Sequence, residues 1–248
     1  DDPSYKAASA HSAAAFAGLT RTDPKAVWVY QTWIWRGMSS SKNIPYLQGW
    51  LSSIPPGRGL MLDQTAEWTP IWKFFGGSGW SFYGMPWVWC TMSAMGGNLG
   101  LFGDFGVLNT GPVEAMNIPN NSIAGVGIDP EGIDNNPAYY SFLLETAWRS
   151  KPVNTTAWLQ HWGLQRCGKK SEKVAQAWSI LANTVYADAS AQVYEHHMGY
   201  CPTTMPEGSG WDKNRVGAKS KTGQRTLWYE PSDLHVAWGL LIEAASAG

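Results

Sequence analysis

The chain is poor in charge, in cysteine and in long apolar runs. Of its 248 residues, 18 are Lys or Arg and 19 are Asp or Glu, giving a net charge of −1 with charged residues at 15%. A chain so balanced has no basic stripe to neutralise phosphates, so nucleic acid is not an expected partner. Its three cysteines, Cys90, Cys167 and Cys201, show no CxxC spacing and could close at most one disulfide, which is no framework. No stretch nears the roughly 20 apolar residues that cross a bilayer, so no membrane-spanning segment is expected. The Gly-rich run Gly96-Gly97-Asn98-Leu99-Gly100-Leu101-Phe102-Gly103 contains neither GxGxxG nor GK[ST] and makes a poor phosphate cradle. No serine stands in a GxSxG elbow. His196 and His197 are adjacent, so on a helix their rings diverge, unlike a metal pair at i, i+4. Neither cofactor nor metal is expected. The first residues, Asp1-Asp2-Pro3, show no signal-peptide pattern, which is read as processing or as a piece of a longer protein.

What is present is apolar and aromatic. A hydrophobic content of 44% excludes a disordered chain, which could not offset its conformational entropy by burial. Sixteen tryptophans stand beside 10 tyrosines and 7 phenylalanines. An indole has an apolar face and one polar edge, suited both to cores and to the C–H faces of sugars. Trp28, Trp33, Trp35, Trp87 and Trp89 fall on two candidate strands or their ends, and one or two of these rings are expected to be functional. Asn120-Asn121-Ser122 and Asn154-Thr155-Thr156 would permit N-glycosylation in a secreted protein.

The first 150 residues alternate between strand and helix patterns. Lys6 to Gly18 reads as a helix, and Ala26 to Gln31 as a strand that Trp33-Ile34-Trp35 continues. A short helix is expected from Tyr46 to Ser53. Strands follow at Gly59 to Asp63, Pro86 to Met92 and Ser122 to Ile128. Continuous apolar runs of this kind suit parallel strands buried on both faces. Four β-then-α units predict an α/β fold, either half of a (β/α)8 barrel or an open sheet. Beyond Pro152 helical spacing dominates at 154–166, 171–187 and 233–247. Thr226 to Tyr229 is an ambiguous strand, and 207–224 reads as a long surface loop.

Two acids stand where a barrel places its chemistry, at strand C-terminal ends. Asp129-Pro130-Glu131-Gly132-Ile133 follows the fourth strand, where proline fixes the backbone before Glu131 and glycine lets the chain turn beyond it. A Pro-Glu helix N-terminus would read the same way. Asp63 ends the second strand and Glu67 lies in the loop after it. Glycosidic cleavage uses two carboxyl groups, and Asp63 with Glu131 would satisfy that count. The alternative for Asp63 is a structural acid that bonds backbone N–H groups or an arginine.

Read in order, these residues resemble the α-N-acetylglucosaminidases of glycoside hydrolase family 89. The likeness is carried by Pro3-Ser4-Tyr5, Ala26-Val27-Trp28, Gln31-Thr32-Trp33, Leu62-Asp63, Ala66-Glu67, Trp89-Cys90, Gly96-Gly97-Asn98, Gly100-Leu101-Phe102-Gly103, Gly111-Pro112 and Pro130-Glu131-Gly132-Ile133. Tyr140-Ser141 and Glu145-Thr146-Ala147-Trp148-Arg149 extend it. The resemblance implies a retaining exo-hydrolase that removes terminal α-linked N-acetylglucosamine, from heparan sulfate in animals. It implies Glu131 as nucleophile and Trp33 in the sugar pocket. Trp89, Asn98, Asp63 and Glu67 are the further expected substrate contacts. The family's acid/base glutamate belongs to a Phe-Asn-Glu motif shortly before the Pro-Ser-Tyr segment, and this chain starts after it. The family's GGNHG reads Gly96-Gly97-Asn98-Leu99-Gly100 here.

On this reading residues 1–152 are the second half of the catalytic barrel and 153–248 begin an all-helical domain. The expected partner is a glycan ending in N-acetylglucosamine, with no nucleic acid and no membrane, and homo-oligomerisation is left open. Lysosomal or secreted placement follows from the resemblance. The 248-residue chain alone is expected to be inactive and poorly soluble. The competing readings are a non-catalytic carbohydrate-binding protein and another retaining glycosidase that uses Asp63 with Glu131.

Overall fold

The computed structural model describes residues 2–38, 44–75, 81–92, 103–132, 135–187, 218–219, 225–226 and 229–247. The chain forms two compact units, one of Asp1–Thr91 with Gly111–Asp129 and one of Met92–Thr110 with Pro130–Gly248.

In the first unit, helix α1 spans Pro3–Thr22. Its start is set by the Asp2 carboxylate, which accepts the Ser4 N–H at 2.7 Å, and by Pro3 in the first turn, where a missing N–H costs nothing. Ala8, Ser12 and Phe16 recur every fourth residue and make its buried stripe. Helix α2, Ile44–Ser52, buries Leu47, Gly49 and Leu51 and packs on α1. A Cβ at Gly49 would run into the Tyr5 carbonyl, so glycine permits this approach.

Four parallel strands lie in sequence order: β1 Trp28–Gln31, β2 Gly59–Asp63, β3 Trp87–Thr91 and β4 Ile123–Ile128. The α/β expectation is met. Helix α3, Phe105–Asn117, connects β3 to β4 and carries Pro112 inside it.

The register fixes what each face of the sheet holds. Tyr30, Met61 and Trp87 align across the strands, as do Asp63 and Trp89, and all are buried. The other face carries Val29, Leu60, Leu62 and Val88, of which Val29 is 50% exposed and the rest are half-buried. In an eight-stranded barrel that second face is filled by layers of side chains from all the strands, so four strands fill it only in part.

One element differs from expectation. Trp33-Ile34-Trp35 does not extend β1; the chain coils into a 3₁₀ helix at Thr32–Met38. The ladder between β1 and β2 ends at the pair Gln31 and Leu62, and the next hydroxyl, on Thr32, donates to Asp63 Oδ1 at 3.0 Å. The backbone turns at that anchor.

The second unit is helical, with α4 Pro137–Thr146, α5 Thr155–Cys167, α6 Glu172–Asn183 and α7 Pro231–Ser246. Asn136, Asn154 and Ser171 cap the first three, and Gly168 at φ 74 ends α5 in the left-handed geometry that glycine adopts without penalty. Phe105 centres an aromatic cluster with Tyr139, Phe142 and Tyr186 at 5.5, 5.2 and 5.0 Å between rings. Two-residue strands at Ala218–Lys219 and Arg225–Thr226 pair antiparallel. Among the described residues no helix is long and apolar enough to cross a membrane.

Close packing between α3 and β3 depends on Gly111. A Cβ there would stand 2.9 Å from Cζ2 of the fully buried Trp89. Gly111→Ala should lower unfolding free energy by about 1–3 kcal/mol, because a rigid indole cannot yield as a flexible chain would. Urea denaturation monitored by circular dichroism checks this, and an unchanged midpoint would contradict it.

Candidate active site

The C-terminal ends of β2, β3 and β4 gather a polar network inside the first unit. Asp63 closes β2 and is fully buried. Its Oδ1 accepts the Thr32 hydroxyl at 3.0 Å and its Oδ2 accepts the Trp72 N–H at 2.9 Å. A carboxylate without solvent needs such donors, since a buried charge is otherwise very costly. Both oxygens are therefore committed to holding three segments together. Asp63, expected as a sugar contact or as a catalytic acid opposite Glu131, is found here as an anchor without exposed surface.

Beyond Asp63 the chain continues in turns. Gln64 donates from Nε2 to Asp129 Oδ2, and the Ala66 N–H donates to the Cys90 carbonyl at 3.0 Å. The Asp129 N–H in turn donates to the Thr91 carbonyl at 2.9 Å. The start of the Asp129-Pro130-Glu131 segment is thus tied to both β3 and the β2 loop. Glu67 is buried in that loop at 9% exposure. Burial, then the charges of Asp129, Asp63 and Glu67, push the Cys90 thiol far above its ordinary range. Cys90 is a neutral thiol at physiological pH and no nucleophile, since the thiolate is the reactive form.

Glu131 is exposed, in a bend just past β4. The described helix after it starts at Pro137, capped by the Asn136 side chain, which accepts the Ala138 and Tyr139 N–H groups. Glu131 is not the first-turn acid of a helix, so the Pro-Glu cap reading falls away.

The tryptophans divide by exposure. Trp35, Trp87 and Trp89 are at most 2% exposed, whereas Trp33 is 44% exposed on the 3₁₀ helix after β1. Trp87 stacks on Trp72 at 5.4 Å and donates from Nε1 to Asn121 at 2.9 Å. Trp89, expected as a substrate contact, is fully buried and packs against Gly111. Asn98, His196 and His197 lie outside the described residues. Among the described residues no group of three or more His, Cys, Asp or Glu is arranged to hold a metal ion.

Sequence reasoning missed Thr32, Gln64 and Trp72 as parts of the network. Thr32 had a signal, being a hydroxyl wedged between Gln31 and Trp33 at a strand end; the Trp72 N–H had none, because any residue supplies a backbone donor.

A family model described as the alpha-N-acetylglucosaminidase (NAGLU) tim-barrel domain matches residues 2–150, and its C-terminal domain counterpart matches 158–247. The chain belongs to the alpha-N-acetylglucosaminidase family. Human alpha-N-acetylglucosaminidase is 32% identical over 248 residues, which cover 98% of this chain and 30% of that protein. Two structures from Clostridium perfringens resemble the fold. One is a family 89 glycoside hydrolase in complex with 2-acetamido-1,2-dideoxynojirmycin, with TM-score 0.71, 21% identity, and coverage of 97% of this chain and 25% of that one. The other, with two Glu→Gln substitutions, is in complex with its substrate GlcNAc-alpha-1,4-galactose, with TM-score 0.69, 21% identity, and coverage of 100% of this chain and 25% of that one. The chain therefore spans about a third or less of the length of these family relatives.

The Asp63 anchor makes a specific demand. Asp63→Ala would leave the Thr32 hydroxyl and the Trp72 N–H without that acceptor, and unsatisfied buried donors cost about 1–3 kcal/mol each. Unfolding free energy should fall by about 2–5 kcal/mol, measured in urea. Cys90 should meanwhile resist a thiol reagent at neutral pH in the parent chain and react only on unfolding. A parent Cys90 labelled as fast as exposed Cys167 would contradict the network.

Proposed function

We propose that this chain carries the nucleophile of a retaining exo-glycosidase that releases terminal α-linked N-acetylglucosamine, with Glu131 as that nucleophile. The observation that carries the reading is the placement of Glu131. Its carboxylate is exposed on a turn past β4, outside any described helix start, and the segment begins at an Asp129 fixed by Gln64 and Thr91. Barrel enzymes keep their catalytic groups at this end of the strands. The name of the human relative supports the sugar, and the two Glu→Gln substitutions in the bacterial substrate complex fit a reaction run by two glutamates.

The chemistry follows from charge and distance. An ionised Glu131 would attack the anomeric carbon while a second carboxyl group protonates the departing oxygen, and water would then hydrolyse the glycosyl-enzyme. Retention sets the two groups about 5–5.5 Å apart. The burial of Asp63 and the donors on both its oxygens favour another group as the partner. We assign the second role to a glutamate upstream of Pro3-Ser4-Tyr5 in the longer protein.

Trp33 would stack on the sugar, with Glu67 and Asn98 as polar contacts. The whole protein would act on heparan-sulfate-type glycans in an animal, in the lysosome or outside the cell. Residues 1–152 would then belong to the catalytic barrel and 153–248 to the helical domain.

In the longer protein, Glu131→Gln should abolish turnover of an aryl α-N-acetylglucosaminide while leaving the fold intact. Retention of about a tenth of the activity would remove Glu131 as nucleophile. The 248-residue chain by itself should show no hydrolysis, and appreciable turnover would overturn the assignment of the second carboxyl group.

A further inference from the structure

A cavity of about 510 Å³ lies within the first unit, beside the residues that lead into β2 and β3. Its floor is apolar and closed: Leu51, Ile54, Phe82 and Met85 are 4, 5, 0 and 8% exposed. Tyr5, Gln48 and Tyr83 are half-buried at its rim. The two hydroxyls and the carboxamide form no hydrogen bond with another described residue. Among the described residues of the lining there is no Asp, Glu, Lys, Arg or His.

The backbone around Tyr83 is strained. Phe82, Tyr83 and Gly84 hold φ of 50, 54 and 84, three successive left-handed residues of which only the last is glycine. Such geometry persists only where surrounding structure fixes it, and it is concentrated at functional positions. Phe82 supplies the fixing: its N–H donates to the Phe75 carbonyl at 2.6 Å and its ring meets Trp87 edge-on at 5.7 Å. With Phe82 driven into the core, the left-handed turn leaves the next side chain, Tyr83, on the cavity rim. Burial raises the Tyr83 pKa, so the phenol stays a neutral donor.

We propose that this cavity binds a neutral saccharide, at a site separate from the strand ends that carry the catalytic chemistry. A ligand with a carboxylate, sulfate or phosphate would meet no charge among the described lining residues and would lose hydration there without compensation. The volume is that of an ordinary small-molecule site. The two phenol rings offer faces for a pyranose C–H surface, and the hydroxyls and amide supply both donors and acceptors for sugar hydroxyls. Asp63 and Thr91 close the opposite ends of the same strands, and five residues of strand span about 16 Å, so the two sites are distinct. The inference stands apart from the role assigned to Glu131.

The test is saturation-transfer NMR on the purified chain in a Trp33→Ala, Glu131→Gln background, which weakens the other candidate sugar site. The probes are N-acetylglucosamine, galactose and glucuronic acid. The neutral sugars should bind in the millimolar range and glucuronic acid should not. Tyr83→Phe should weaken binding several-fold and Tyr83→Ala or Gln48→Ala about tenfold, with unchanged circular dichroism. Tyr83→Phe keeps the ring, so its effect is not one of folding. Absence of binding by either neutral sugar, equal binding of glucuronic acid, or binding indifferent to Tyr83 and Gln48 would overturn the proposal. None of these outcomes bears on turnover by the longer protein.

Discussion

The first unit depends on a single buried carboxylate. Asp63 receives the Thr32 hydroxyl from the end of β1 and the Trp72 N–H from the 3₁₀ helix at Ile71–Lys73, while its own backbone ends β2. Three segments far apart in sequence are thereby held at one point. The arrangement tolerates no neutral substitute of the same shape without loss, because charge-assisted hydrogen bonds are the stronger kind and the donors are out of water. Its effect reaches the surface through Thr32. The residue next to that anchor is Trp33, whose ring is 44% exposed, so a buried acid sets the place of an exposed aromatic.

Around this anchor the acids separate into two kinds by their surroundings. Asp63 and Glu67 are buried, and their charges, with that of Asp129, add to the effect of burial in raising the Cys90 thiol pKa. Glu131 is exposed and only two residues past Asp129. The buried acids tie segments of the scaffold together, and Glu131 stands at the surface beside them. Proline between Asp129 and Glu131 removes one backbone freedom just past the fixed residue.

The strands were legible in the sequence because their apolar runs leave few alternatives. β2 begins at Gly59 and ends at Asp63 as read, and β4 begins one residue later than read. The 3₁₀ turn after β1 was not legible, because Trp33-Ile34-Trp35 has strong strand propensity and the Asp63 carboxylate that ends the strand is 31 residues away. α3 was equally hidden: Gly106, Gly111 and Pro112 all argue against a helix, and Gly111 is there for the Trp89 ring rather than for propensity. At the site, the placement of Glu131 just past a strand end was legible in the sequence, but the burial of each tryptophan was not. Trp33 and Trp89 look alike in sequence, and only burial separates them.

The two faces of the sheet state the remaining physical constraint. One face, with Tyr30, Met61, Trp87 and Trp89, is as buried as a finished core. The other leaves Val29 half-exposed and places Gly125 and Gly127 where larger side chains would stand in a filled interior. Gly127 is held small by its neighbours, for a Cβ there would lie 3.0 Å from both Cys90 Sγ and Val88 Cγ1, while a Cβ at Gly125 would meet nothing within 4 Å. The interior is therefore tight beside β3 and open one pleat away. Side chains from further strands would occupy that opening, as the layered interior of an eight-stranded barrel requires. The helix-covered face of these strands is thus tightly packed, whereas the other face is tight at Gly127 and open at Gly125.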